Sequence, residues 1–383
     1  MNIKNKIHNN DYSPSICVTH SCNLACRYCY QHHDVKNKMD FETSKQCIDW
    51  IFDNIPDGKN AVTINLIGGE PLLEFHLIQM IYDYTMNKKK DIPVRFFAST
   101  NGTLLDYKMK DWISKRRQTF ILGLSLDGNK TTQDFNRSNS FDLIDFDFFL
   151  ENWENQGVKM TLSEFSLDFL AEDIKFIHDL GFKRIDGVNL FEGNVDWNQE
   201  IFIKKLVPQL NQMVDFYLEN PKLELNQMLN KKIELCSAPR EQKHKNCGVG
   251  TNTVFFDTDG KRYPCSFMTP MTFSNEELAE ILKYDFANEE LFVDNTCYDE
   301  CYIFPICSTC AGGNYMKNKS FDIRCRDRCK INKLVTLFVA DLHAKRILLY
   351  PELYPDETIL FYTIEAIKKI RELYLDEFKE YFR

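Results

Sequence analysis

The chain has 383 residues, enough for two domains with a large buried core, which excludes a small disulfide-stapled scaffold. Its 47 basic against 56 acidic residues leave a net charge of -9, which argues against nucleic acid as a partner, and no run approaches the ~20 apolar residues of a membrane helix. The start MNIKNKIHNNDY has no apolar secretory segment, so the expected location is cytoplasmic, where fourteen cysteines point to metal binding rather than disulfides.

In the first half of the chain, short β-branched or apolar runs alternate with longer amphipathic segments, the pattern of repeated β-α units around a parallel sheet. Six strands are predicted: SICVT (15–19), VTINLIG (62–68), VRFFAS (94–99), FILGLS (120–125), VKMTL (158–162) and RIDGVNL (184–190). Helical patterns follow them, among them FETSKQCIDWIF (41–52) and SLDFLAEDIKFIHDL (166–180), the latter closed by Gly181 as a C-terminal cap. The expected fold class is α/β, a partial (β/α)6 TIM-like barrel, whose functional residues gather at the C-terminal ends of the strands. A helical stretch is expected over 198–235, after which the texture changes to cysteines, turns and short strands. Helical periodicity resumes near Ile331, and the tail RELYLDEFKEYFR reads as an amphipathic helix packed on the body. The expected division is 1–235 for the barrel and its connecting helices, 236–330 for a metal-organised module and 331–383 for C-terminal helices.

The cysteines are clumped, five in the first fifty residues and nine from Cys236 to Cys329. Cys22-Asn-Leu-Ala-Cys26-Arg-Tyr-Cys29 directly follows the first strand, so one loop can fold three thiolates around a single cluster. A four-iron cluster held by three cysteines leaves one iron open to a small-molecule ligand, whereas a closed four-cysteine site would only shuttle electrons. A zinc site completed by His32 or His33 is the bland alternative, and it leaves the next matches unexplained. Gly68-Gly69-Glu70-Pro71 ends the second strand, Thr100-Asn101-Gly102 the third and Ser125-Leu126-Asp127-Gly128 the fourth, with Arg137 ten residues after Asp127. Any one of these is ordinarily a turn or a solvated charge; their order along successive strands is what carries weight. The C-x3-C-x2-C spacing, Tyr28 before the last cysteine and these turns together resemble the radical S-adenosylmethionine (SAM) superfamily. The resemblance implies that the open iron takes the amino and carboxylate groups of SAM and that the turn at Gly68, Gly69 and Glu70 faces the SAM amino group. It further implies roles for Ser125 and Arg137 at the ribose and carboxylate and for Tyr28 at the adenine edge, with Asn101 in the same cofactor-binding set.

Downstream, Cys247 is followed after twelve residues by Gly260 and after four more by Cys265, in a segment that reads as a hairpin turning at 257–260. Then come Cys297-x3-Cys301-x5-Cys307-x2-Cys310 and Cys325-x3-Cys329. This resembles the SPASM extension of radical SAM enzymes that modify peptides and proteins, in which interleaved cysteines hold two auxiliary four-iron clusters. The family's usual block is C-x2-C-x5-C-x3-C, so the outer spacings are exchanged here. The resemblance assigns Cys247, Cys265 and Cys310 to the nearer cluster with Cys236 as possible fourth ligand, and Cys297, Cys301 and Cys307 to the farther one with Cys325 or Cys329. Without Cys236 the nearer cluster would keep an open iron for a substrate thiolate. A zinc-ribbon reading fits less well, because such sites favour even C-x2-C pairs. Cys17, within a strand, and Cys47, on a helix, read as buried small apolar side chains.

The resemblance thus implies SAM and three 4Fe-4S clusters as cofactors, and an electron donor such as flavodoxin or ferredoxin. Two substrates compete. In enzymes that mature sulfatases, an Asp directly after the cysteine of G-x4-C is the expected base, and here that position is Ser266. The expectation is therefore a maturase that installs a thioether or carbon-carbon cross-link, or a related oxidative modification, in a ribosomally made precursor peptide. Only 21 residues precede Cys22, so leader recognition is expected to fall to a separate leader-binding protein or to the C-terminal helices. The alternative from a different class is a non-catalytic multi-cluster electron carrier.

Overall fold

The structure, a computed structural model, describes residues 11–31, 36–88, 92–190, 195–240 and 247–381. Among them nine strands run in chain order as β1 (Asp11–Tyr12), β2 (Ser15–Thr19), β3 (Ala61–Gly68), β4 (Val94–Thr100) and β5 (Phe120–Leu124), then β6 (Val158–Leu162), β7 (Ile185–Leu190), β8 (Phe255–Phe256) and β9 (Arg262–Tyr263). All six predicted strands are present, and the α/β class with a parallel sheet stands.

The chain forms two compact units. The first comprises the described residues within Met1–Ser125, Arg137–Glu154 and Gly248–Asn288. Its sheet has the order β5-β4-β3-β2-β8-β9, parallel throughout except for the antiparallel β8–β9 hairpin, with β1 added along β3. Parallel strands are covered on both faces and so read as near-continuous apolar runs. Ile16, Val62, Ile64, Leu66, Phe96, Ala98, Phe120 and Leu122 are all fully buried. Helices Phe41–Asp53, Phe75–Lys88 and Tyr107–Ser114 supply the cover, through contacts such as Tyr82 on Trp112 at 5.2 Å and Trp112 on Phe120 at 5.3 Å. A fully buried aromatic such as Phe120 contributes about 2 kcal/mol of apolar transfer. The predicted hairpin at 257–260 is present, with Gly260 in the left-handed region at φ +77° and its N–H donating to the Asp257 carbonyl. Its first strand also pairs with β2, in the register Ser15↔Phe255 and Ile16↔Phe256, which strand periodicity alone did not predict.

The second unit comprises the described residues within Leu126–Asn136, Asn155–Cys247 and Glu289–Arg383. Here β6 and β7 pair in parallel, and the long helices Glu200–Glu219, Cys329–Leu349 and Glu357–Tyr374 bury Leu206, Leu210, Leu334, Phe338, Ala366 and Ile370. The helix expected over 198–235 stops at Glu219, since Asn220 leaves helical geometry and Pro221 follows. Only a short 3-10 turn, Ile233–Cys236, remains of its second half. The tail is helical to Tyr374 and continues as a 3-10 segment, Asp376–Tyr381, anchored by the fully buried Phe378. Among the described residues no helix is long and apolar enough to cross a membrane.

Candidate functional site

In the first unit, the C-terminal ends of β2, β3, β4 and β5 all lead into the predicted site sequences: Cys22 to Cys29 after Thr19, Gly69-Glu70-Pro71 after Gly68, Asn101-Gly102 after Thr100, and Ser125 after Leu124. Parallel pairing aligns them, with Thr19 opposite Gly68 and Thr100 opposite Leu124. The loop carrying the three cysteines is pinned from several sides. Gly69 N donates to Thr19 O at 3.0 Å and Glu70 N to Ser21 O at 2.9 Å. A Cβ on Gly68 would lie 2.3 Å from Thr19 O, and one on Gly69 would lie 2.5 Å from Ser21 O. The Gly-Gly pair is thus a close-approach device that lets the end of β3 abut the cysteine loop.

On another side, Asn101 Nδ2 donates to Asn23 Oδ1 at 2.9 Å and Asn23 Nδ2 to Thr103 Oγ1 at 2.8 Å, which couples the Asn101-Gly102 turn to the loop. Ala25 N donates to Ser138 Oγ at 3.0 Å, next to Arg137. The Arg137 guanidinium stands 5.3 Å from the centroid of the Tyr28 ring, a cation-π distance. Ser125 N donates to Thr100 O at 2.9 Å. All of the sequence-predicted cofactor-binding residues, Tyr28, Gly68, Gly69, Glu70, Asn101, Ser125 and Arg137, therefore belong to one compact unit with Cys22, Cys26 and Cys29.

Glu70 is almost fully buried, and its carboxylate is already engaged. Oε1 accepts from Leu72 N at 3.1 Å and from Thr100 Oγ1 at 2.9 Å, and Oε2 accepts from Asn101 N at 2.7 Å. Burial pushes its pKa up to about 7, against the three hydrogen bonds that favour the charged form. Its visible work is to lock the β3 turn to the β4 turn. The thiols of Cys22 and Cys29 are likewise raised, chiefly by partial desolvation; the Leu24 N–H opposes this at Cys22, and the Gln31 N–H and then the Arg137 guanidinium oppose it at Cys29.

No disulfide joins any of the fourteen cysteines. Among the described residues one group of three His, Cys, Asp or Glu brings its ligand atoms within 4.8 Å of one another, namely Cys17, His20 and Asp257. The sulfurs of Cys22, Cys26 and Cys29 are therefore spread more widely than the roughly 3.8 Å edge of a tetrahedral zinc-thiolate site. Three thiols on one loop, flanked by a basic side chain, are the donor set that a polynuclear iron-sulfur cluster takes, and the surrounding strand ends offer polar groups to a cofactor bound to it. His32 and His33, the zinc alternative's fourth ligands, lie outside the described residues.

The downstream cysteines divide between the units. Cys265 belongs to the first, where the neighbouring Ser266 side chain hydrogen-bonds the Tyr30 phenol. Cys236, Cys247, Cys297, Cys301, Cys307, Cys310, Cys325 and Cys329 belong to the second. Cys17 and Cys47 are buried in the core as expected, and burial pushes the Cys47 thiol up to about 12.

Pattern reading did not find the buried His20–Asp257 pair, 2.6 Å from Nε2 to Oδ1, which fastens the β8–β9 hairpin to the segment leading into Cys22. Nor did it find Asn23 and Ser138 as supports of the loop. Their common signal, a polar side chain within or beside a motif, is too ordinary to stand out without the pairing partner.

Comparison with known proteins follows the same line. Residues 16–155 match the model of the Radical SAM superfamily. The chain is 30% identical over 174 residues to an uncharacterised protein of Methanocaldococcus jannaschii, covering 44% of this chain and 59% of that protein. It is 20% identical over 350 residues to a radical SAM cyclopropyl synthase of Paramaledivibacter caminithermalis, covering 84% of this chain and 72% of the other. With a cysteine-type anaerobic sulfatase-maturating enzyme of Clostridium perfringens it shares 25% over 268 residues, 64% of this chain and 71% of the relative. Among solved structures, native anSMEcpe with bound AdoMet superposes with a TM-score of 0.65 at 18% identity, over 88% of this chain and 98% of that one. Streptococcus suis SuiB bound to precursor peptide SuiA superposes with a TM-score of 0.56 at 16% identity, over 84% and 76%. Both structural likenesses speak for the fold. With strand topology, strand-end turns and the match over residues 16–155 in agreement, this chain carries a radical SAM domain over residues 16–155.

Proposed function

We propose that this chain is a radical SAM maturase acting on a residue of a ribosomally made precursor peptide, where it installs a cross-link, thioether or carbon-carbon, or a related oxidative modification. The observation that carries the reading is the assembly of Cys22, Cys26 and Cys29 with the turns at Gly68-Gly69-Glu70, Asn101 and Ser125 at the ends of four neighbouring parallel strands. When bound, the cluster and SAM supply one electron and a 5'-deoxyadenosyl radical, which takes a single hydrogen atom from an unactivated carbon of the substrate.

The residues' share of the work is positional. Cys22, Cys26 and Cys29 would hold three irons and leave the fourth open. The backbone at Gly68 and Gly69 would present acceptors to the SAM amino group, Arg137 a positive charge to its carboxylate, Ser125 a hydroxyl to the ribose and Tyr28 a ring to the adenine. Glu70, occupied with Leu72, Thr100 and Asn101, keeps the two turns in register so that the rest can bind. Cysteines of the cysteine-rich part (236–330) would hold auxiliary clusters able to take up an electron, and a flavodoxin or ferredoxin would supply the initiating one.

A peptide substrate is supported by the fold shared with SuiB, which is seen bound to precursor peptide SuiA, over 84% of this chain. Sulfatase maturation is the second reading, favoured by the sequence relation to the Clostridium perfringens enzyme. Against it stands Ser266, whose hydroxyl is engaged with Tyr30 where that chemistry would want a carboxylate. The test is anaerobic incubation of reduced protein with SAM, with candidate precursor peptides and with a sulfatase-derived peptide. The expected result is 5'-deoxyadenosine release together with a peptide mass lower by two per cross-link. Absence of 5'-deoxyadenosine under every condition would leave only the electron-carrier reading, and formylglycine in the sulfatase peptide would establish the second.

A further inference from the structure

A buried group of metal-ligand side chains lies outside the cysteine motifs, in the first unit at the end of β2. Successive residues of a strand face opposite sides of its sheet, so Cys17 and His20, three apart, would ordinarily diverge. They do not, because the β2–β3 register slips: Cys17 lies opposite Ile67 and Thr19 opposite Gly68, two steps on one strand against one on the other. The extra residue is a bulge, and a bulge re-aims the side chains beyond it. The third member comes from β8, whose register Ser15↔Phe255 and Ile16↔Phe256, carried one step further, sets Asp257 abreast of Cys17. The Cys17 sulfur, a ring nitrogen of His20 and a carboxylate oxygen of Asp257 all lie within 4.8 Å of one another.

The trio is closed to water: Cys17 is 2% exposed, His20 5% and Asp257 6%. Its hydrogen bonding is incomplete. His20 Nε2 meets Asp257 Oδ1 at 2.6 Å, and that oxygen also accepts from Thr258 N at 2.7 Å. His20 Nδ1 has no hydrogen-bond partner among the described residues, and the Cys17 thiol donates to Thr19 O across a long 3.6 Å. Buried polar atoms are ordinarily satisfied, because an unmet one carries its full desolvation cost, so an orphaned ring nitrogen beside a thiol and a carboxylate points to a ligand. Thiolate, imidazole and carboxylate together suit a borderline cation: Mg2+ and Ca2+ take oxygen ligands, whereas Zn2+ takes sulfur, nitrogen and oxygen at once. Its two positive charges would balance a Cys17 thiolate and the Asp257 carboxylate, with His20 neutral and the thiol proton passing to solvent. The ligand atoms, already within 4.8 Å, need move only about 1 Å to reach the roughly 3.3–3.8 Å edges of a tetrahedral site, while the His20–Asp257 contact opens.

We propose that Cys17, His20 and Asp257 form a mononuclear Zn2+ site that staples the β8–β9 hairpin to the strand leading into Cys22. The site shares no cysteine with the Cys22, Cys26 and Cys29 loop and does not depend on the maturase reading. It gives Cys17 a task beyond filling the core, and it anchors the chain two residues ahead of the first cysteine of that loop.

The test uses the full-length chain after anaerobic iron-sulfur reconstitution and washing with EDTA, with iron and zinc counted per chain before and after Zn2+ is added. Wild type is expected to take up one Zn2+ per chain more than Cys17→Ala or Asp257→Asn, with iron equal in all three. Cys47→Ala, which removes another buried thiol of the same unit, should lose no zinc. The X-ray absorption of the extra zinc should show one sulfur at about 2.3 Å and nitrogen or oxygen at about 2.0–2.2 Å. Because Cys17 lies in a core strand, wild type also supplies a readout that needs no variant to fold: added Zn2+ should raise its thermal midpoint, as a ligand of the native state does. Where circular dichroism shows Cys17→Ala folded, its midpoint should not respond. Equal zinc uptake by wild type and Cys17→Ala, or zinc surrounded by sulfur alone, would overturn the site and leave His20–Asp257 a plain hydrogen bond. Low iron alongside one-sulfur zinc would keep the site and count only against the clusters.

Discussion

Glu70 illustrates how one side chain can serve a cofactor site without pointing at it. Its carboxyl sits among three hydrogen-bond donors, yet burial still raises its pKa to about 7 from an ordinary 4.5. A folded-state value above the unfolded one means that the native state binds the extra proton, so the stability associated with this group is greatest below about pH 4.5 and is lost as pH rises through about 7. In Glu70→Gln this part of the pH dependence should vanish. The variant should also be less stable by about 1–3 kcal/mol above pH 7, because its amide N–H2 would face a donor that now meets an oxygen. Urea unfolding of apo-protein at several pH values between 5 and 8 checks both, and an unchanged wild-type slope in the variant would show that another group titrates there. The residue was visible in the sequence as part of a Gly-Gly-Glu-Pro turn; its partners, Thr100 and Asn101, lie thirty residues on and were visible only as a separate motif.

At the scale of elements, the cysteine loop depends on how closely the end of β3 can approach it. Gly69→Ala would place a Cβ 2.5 Å from the Ser21 carbonyl oxygen and 2.8 Å from that of His20, backbone atoms that cannot rotate away. The loop must then move off the strand end, at a cost of about 1–3 kcal/mol. We expect Gly69→Ala to keep its secondary structure by circular dichroism but to lose roughly four irons per chain on reconstitution, the complement of one four-iron cluster. Retention of full iron content would mean that the loop does not need this contact. The same scale explains why the hairpin was only half legible: its turn is written in Asp257 to Gly260, whereas its pairing with β2 and the His20–Asp257 bond join residues 237 positions apart. Short-range pattern has no access to such a pair.

For the molecule as a whole, each compact unit is assembled from three stretches of chain, so the boundaries of sequence texture are not boundaries of packing. Helix Glu200–Glu219 buries Leu206, Leu210, Met213 and Tyr217, and it packs on helix Cys329–Leu349, whose Arg346 donates to Tyr217 O at 3.2 Å. A fragment ending at Asn288 would keep the first unit's segments but strip the second unit of its two C-terminal helices. Such a fragment should bind ANS strongly and lose the cooperative thermal transition of the full chain, because an apolar face of several fully buried side chains would be left in water. A fragment as soluble and cooperative as the full chain would show that the long helices are dispensable.

Taken by itself, the sequence determined the α/β class, the six strands, the order of the strand-end turns and the identity of the three-cysteine loop. All of these follow from local periodicity and from motifs a few residues long, where chemistry and spacing are written side by side. Tertiary structure alone decided that Glu70 ties two turns together, that Ser266 is engaged with Tyr30, and that His20 pairs with Asp257. Those outcomes depend on contacts between residues far apart in the chain, chosen by the packing of whole elements.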